Sequence, residues 1–271
     1  MSDFDRNAAA ADYGRRLTRA EAAVVDAGLR AYMLRIYNYM VLGLAITGFA
    51  ALGAYMLSVT GDPASAVRGA SGGALALRAG VYLTPVGYAL FVSPLKWLVI
   101  LAPLGLVFFL SFRIENMRPS SAQATFWIYA ALVGISLGVL FLVYTHTSIV
   151  RVFFITAASF GALSLWGYTT QRDLSAMGSF LIMGLFGIII ASLVNVFVES
   201  SMMQWVISVV GVLIFAGLTA WDTQRLKSEY IYGAMEGDVL ERSAIMGALS
   251  LYLDFLNLFT FLLQLLGSRE E

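Results

Sequence analysis

The sequence predicts an all-α membrane protein of seven transmembrane helices, with the C-terminal helix in the centre of the bundle. Three observations carry that expectation. The 271 residues are 59% hydrophobic and only 13% charged, with a mean hydropathy of +0.80, whereas soluble domains run near 25% charged. The apolar residues fall in blocks close to the roughly 20 residues a helix needs to cross about 30 Å of hydrocarbon. Finally, the last block carries an aspartate, Asp254, in its middle, and a charge there belongs in a bundle interior rather than against lipid.

In chain order the blocks are 36–57, 97–112, 124–144, 152–168, 179–198, 203–221 and 244–266. The second is short and is expected to begin earlier, inside LFVSPLK, with Pro94 in its first turn. Before the first span, residues 1–35 form an expected cytoplasmic tail, whose stretch 15–35 mixes charged and apolar positions like a surface helix leading into the membrane. That tail lacks the apolar core of a cleavable signal, so insertion is expected to rely on the first span. Residues 36–267 make up the transmembrane domain and 268–271 a short C-terminal tail. The long connection 58–96 is rich in Gly, Ala and Ser, with a short interfacial helix expected around 74–81.

Lys and Arg set the orientation. With the N-terminus in the cytoplasm, twelve of the 17 basic residues fall on the cytoplasmic side, and only Arg68, Arg78, Lys96, Arg151 and Arg269 lie opposite. Seven crossings then put the C-terminus outside, whereas six spans and a re-entrant last segment would put both ends inside. Tyr and Trp near the span ends fit an interfacial belt. Small residues at helical spacing, Gly134 with Gly138 and Gly187 with Ala191, predict close helix contacts.

Composition excludes several chemistries. Net charge is zero, so no basic field points to nucleic acid. Cysteine is absent, and His146 is the single histidine, which removes thiolate chemistry and multi-histidine metal clusters. No organic cofactor is expected, and the chain is not expected to be an enzyme. An intramembrane aspartyl protease carries Gly-x-Gly-Asp at one acid, but Asp254 follows Leu251, Tyr252 and Leu253. A rhomboid-like serine protease needs a serine and a histidine on neighbouring helices, and His146 lies in the expected outer-loop sequence YTHTS.

The residues left with a cost to explain are Asp254 and Asp222, the latter at the end of FAGLTAWDTQRL. Around Asp254, the residues Ser243, Gly247, Ser250, Asn257 and Gln264 recur at steps that place them on one face, a polar seam on an otherwise apolar helix. Asp222 reads as an ion pair with Arg225 one turn later. It reaches the depth of Asp254 only if the sixth helix continues to about Tyr232. Two carboxyls facing each other in low dielectric cannot both ionise cheaply and tend to share a proton, which suits a pH sensor or a cation site.

These motifs are also familiar. ALSLYLDFLNLFTFLLQLLG at 248–267 and AGLTAWDTQRLK at 216–227, supported by the stretch 151–187, resemble the Bax inhibitor family of seven-helix membrane proteins, in particular its bacterial YccA-like branch. The resemblance implies a multi-pass protein of the bacterial inner membrane in which six helices surround the last. It implies that Asp222 and Asp254 form the pH-responsive gate of a calcium leak, and that Arg113, in LSFRIENM, is the candidate for a basic latch at the end of the second helix. Some relatives have a glutamate within that helix, but here it reads WLVILAPLGLVFFLSF, with Pro103 and no acid. The competing expectation is a non-transporting regulator that binds a membrane-bound AAA protease or other membrane proteins, working through the N-terminal 35 residues and the cytoplasmic loops.

Overall fold

The computed structural model describes residues 3–69, 73–233 and 236–270, with side chains from residue 26 onward except at 232–233. Nine α-helices lie in this part of the chain: α1 (Asp3–Ser58), α2 (Pro85–Phe91), α3 (Lys96–Arg113), α4 (Pro119–Leu137), α5 (Leu140–Val143), α6 (His146–Thr169), α7 (Ser175–Val198), α8 (Ser201–Gly233) and α9 (Gly237–Leu266). Seven stretches are long and apolar enough to span a bilayer: Asp26–Ser58, Lys96–Asn116, Pro119–Val143, His146–Thr169, Ser175–Val198, Ser201–Ile231 and Gly237–Leu266. The last is one continuous helix of 30 residues, about 45 Å long, with no break for re-entry.

The helix that carries the first span begins well before residue 36. α1 runs unbroken through the stretch read as a surface helix, and Leu29, Tyr32 and Met33 are buried there. Its interleaved charges made this part look solvated. A helix that leaves the membrane while still leaning on its neighbours needs only one apolar stripe, and Leu29, Tyr32, Met33 and Ile36 supply it.

The expected helix at 74–81 is absent. Strands β1 (Val59–Thr60), β2 (Ala76–Arg78) and β3 (Val81–Leu83) form an antiparallel sheet in the order β1-β3-β2, with Val59 opposite Leu83 and Ala76 opposite Tyr82. Gly80 explains the difference: its φ of 73° turns the chain between β2 and β3, a conformation that breaks a helix but suits a tight hairpin. Pro94 is likewise outside a span. It sits in the turn between α2 and α3, while Pro85 takes the first turn of α2, capped by Thr84 Oγ accepting from the Gly87 amide at 3.1 Å.

Of the small residues expected at helix contacts, Gly134 and Gly138 hold α4 against α1: a Cβ on Gly134 would lie 2.5 Å from the Thr47 carbonyl, and one on Gly138 would lie 3.0 Å from Ala54 Cβ. Gly187 does not follow the pattern. A Cβ there would meet nothing within 4 Å, because this face of α7 is exposed, with Phe186 and Ile190 on either side.

α9 packs against α1, α4, α6 and α8, and it carries the largest buried share of the seven spans. Its Leu251, Tyr252, Leu258 and Leu263 are fully buried. Tyr252 is fixed by its hydroxyl, 2.6 Å from Thr47 Oγ1, which itself donates to the Ala130 carbonyl. One polar knot thus joins α1, α4 and α9 where hydrocarbon would otherwise leave these groups unsatisfied.

Candidate functional site

α8 and α9 are antiparallel neighbours, and the polar seam of α9 lies along α8. The apolar block in the sequence ends at residue 221, but α8 continues twelve residues further, to Gly233, about 18 Å of additional helix. That continuation keeps Asp222 helical and level with Asp254. Both side chains are buried, at 7% and 4% exposure, and the two carboxyls lie close enough to act on one another.

The contacts above and below follow the same antiparallel register. One turn beyond the aspartates, Arg225 reaches Ser250 Oγ at 3.3 Å. At the opposite end of the helix pair, Gln264 Oε1 accepts from Gln204 Nε2 at 2.7 Å and from Ser208 Oγ at 2.8 Å, and Gln204 in turn accepts from Asn195 of α7. Asn257 turns back on its own helix, donating to the Leu253 carbonyl. Ser243 meets the Tyr32 hydroxyl of α1 at 2.8 Å.

Arg225 is the cation at the pair. Its guanidinium lies 3.0 Å from Asp222 Oδ1 and 3.7 Å from Glu229, and it stacks over Trp221. The ion pair read from the sequence is therefore present, and so is the facing carboxyl: Asp222 has both neighbours. Arg113 lies elsewhere, exposed in the last turn of α3. Among the described residues, three buried side-chain polar atoms lack a well-formed hydrogen bond, and all belong to this one cluster: Asp222 Oδ1 and Arg225 Nε, which have ion-pair contacts only, and Asp254 Oδ2. Buried polar atoms are normally satisfied, so their concentration here marks a place that can take up a proton, water or a small cation.

The surroundings hold the pair firmly. Thr223, beside Asp222, bonds Ser164 of α6 at 2.9 Å, and Ser164 meets the Tyr37 hydroxyl of α1. Gln224 clamps the connection before α7, accepting from the Leu174 amide and donating to the Arg172 carbonyl. In that connection Asp173 accepts from the Ser175 amide and hydroxyl region, which holds its carboxyl below the usual carboxylate range. α6 and α8 touch backbone to backbone at Gly167 and Ala220, two residues before Asp222.

Among the described residues, no group of three or more acidic or histidine side chains converges around the pair.

The motif reading named Arg225 only as the ion-pair partner of Asp222, and it missed Gln204, Ser208 and Thr47. Gln204 and Ser208 were visible as polar residues four apart in an apolar span, a spacing that puts them on one face. Thr47 gave no such sign, because a lone threonine in a span ordinarily bonds its own helix.

Comparison with known proteins places the chain. Residues 29–271 match the family described as inhibitor of apoptosis-promoting Bax1. An uncharacterised protein of Rickettsia prowazekii, RP147, is 42% identical over 96% of this chain and 99% of its own length. An uncharacterised protein of Caulobacter vibrioides is 40% identical over the whole of both chains. Inner membrane protein YbhL of Escherichia coli K12 is 39% identical over 94% of this chain and 99% of its own. With its seven apolar helices and a match that covers nearly the whole sequence, the chain belongs to the Bax inhibitor family of membrane proteins.

Proposed function

We propose that the protein is a pH-sensitive cation leak of the bacterial inner membrane, with calcium as the ion, the Asp222–Asp254 pair as its gate and the N-terminus in the cytoplasm. One observation carries the reading: two buried carboxyls on adjacent spans lie together beside a single guanidinium, which pairs with Asp222 and leaves Asp254 Oδ2 without a partner. Packing alone would favour apolar residues at both positions, since an acid in a span costs about 2.5–3.5 kcal/mol on insertion scales. A shared proton lowers that cost and makes the contact depend on pH. When the pair loses its proton, two like charges face each other, and α8 and α9 relax either by separating or by admitting a cation. Arg225 limits that repulsion from the side on which α8 ends. Arg113 is exposed at the end of α3 while Arg225 reaches Asp222 directly, which supports giving the latch role to Arg225.

Calcium flux into liposomes tests the proposal, with wild type, Asp222→Asn and Asp254→Asn compared between about pH 6 and 8. Wild type is expected to conduct in a pH-dependent way and both variants to lose that dependence. A wild type that conducts nothing across the range overturns it and favours the reading in which the chain regulates a membrane-bound AAA protease.

A further inference from the structure

α1 and α6 both lean on α9, but between them, in the half of the membrane nearer the start of α1, lies an opening of about 770 Å³. Its walls are apolar, formed by Met33, Met40 and Phe160, and its charged groups gather at one end, where Asp26 and Arg30 line the mouth with Tyr168. The rims are Leu34 and Leu165, 54% and 64% exposed. In a chain that spans a bilayer such rims face hydrocarbon, so the opening faces sideways into lipid. A second opening of about 760 Å³ continues it past Met40 and Phe160 toward Phe49 and His146.

We propose that the first opening is a binding site for one glycerophospholipid of the leaflet on the N-terminal side, its phosphate at Arg30 and an acyl chain laid along Met33, Gly161 and Phe160. The polarity fits an amphiphile, with charge at one end only. The length fits one leaflet: Arg30 and Met40 are ten residues apart, about 15 Å along the helix, half of a hydrocarbon core of about 30 Å. Water would leave its hydrogen bonds facing apolar walls, whereas an acyl chain would not, and a guanidinium on a long stem is suited to reach a phosphate at the membrane surface. Gly161 supplies an independent observation. A Cβ built there meets no atom within 4 Å, so α6 presents bare backbone to the opening where a side chain would otherwise fill it.

The floor leads to the aspartates. Tyr37 Oη and Ser164 Oγ, 2.5 Å apart, close the bottom, and Ser164 bonds Thr223, next to Asp222. The lipid therefore lies against the hydrogen-bond chain that holds α8 beside the site, although its binding is independent of whether the protein conducts ions.

Native mass spectrometry of the full chain in detergent, with phosphatidylethanolamine and phosphatidylglycerol added, reads the site directly. Wild type is expected to retain one phospholipid. Gly161→Phe, which fills the opening, should lower retention at least tenfold, and Arg30→Gln should lower it severalfold. Gly105→Phe, at a glycine of α3 that likewise faces open space, should leave it unchanged; Gly161→Leu replaces the phenylalanine variant if that one fails to fold. Equal retention in wild type and the Gly161 variant, equal loss in the Gly161 and Gly105 variants, or no phospholipid retained by wild type overturns the proposal.

Discussion

Replacing Gly167 with alanine tests the packing that fixes Asp222. A Cβ at this position would lie 2.2 Å from the carbonyl oxygen of Ala220, 2.8 Å from its carbonyl carbon and 2.9 Å from its Cα. All three are backbone atoms of α8, with no rotamer to move aside. Ordinary contact begins near 3.4 Å, so α8 must retreat by the difference between 3.4 and 2.2, which is 1.2 Å. Overpacking costs about 1–3 kcal/mol, and a rigid backbone obstacle places this case near the top. Alanine in a helix recovers about 1 kcal/mol relative to glycine, leaving a net loss of about 2 kcal/mol. At about 2–4 °C per kcal/mol for a chain of this size, thermal unfolding in detergent should begin about 4–8 °C lower. Gly187→Ala is the control. It meets nothing within 4 Å and should melt at or above wild type. If Gly167→Ala melts with the control, α6 and α8 are not in backbone contact at Ala220, and the placement of Asp222 loses its support.

Two further substitutions probe the site and its scaffold. Arg225→Gln removes the cation 3.0 Å from Asp222; without it, the proton-bound pair is favoured over the ionised one, and the midpoint of pH-dependent flux in liposomes should move to higher pH, while an unchanged midpoint would separate Arg225 from the pair. Thr47→Val deletes the hydroxyl that joins Tyr252 to the Ala130 carbonyl and should lower stability by about 1–2 kcal/mol, near the upper end for hydrogen bonds between spans. Adding Tyr252→Phe to it should cost little more, and a fully additive double variant would show that the two hydroxyls act separately.

Much of the architecture was legible because the bilayer imposes its own grammar. Blocks of apolar residues announced all seven spans, and the aspartate in the last of them announced its polar seam by spacing alone. The extension of α8 past Trp221 was conditional on a stretch, LKSEYIY, whose charges resemble those of a loop; the helix persists there because Leu226 is buried against the bundle, close to Gly247 of α9. The same ambiguity hid the start of α1, where Tyr32 and Met33 are core residues among charges. The connection 58–96 could not be read, since its alternating Ala and Leu serve a strand or a helix equally and one glycine at positive φ decides between them. Partners across the bundle were least visible. That Gln264 meets Gln204 and Ser208, and that Arg225 also reaches Ser250 of α9, depends on the register of packed helices, which no local pattern records.

The central claim is that Asp222 and Asp254 act as one titrating unit, and infrared difference spectroscopy of the protein in liposomes measures it without reference to transport. Across the pH range in which flux changes, a single protonated carboxyl band is expected, and either Asp222→Asn or Asp254→Asn should abolish it. Two bands that titrate independently, each removed by only one of the substitutions, would contradict the account.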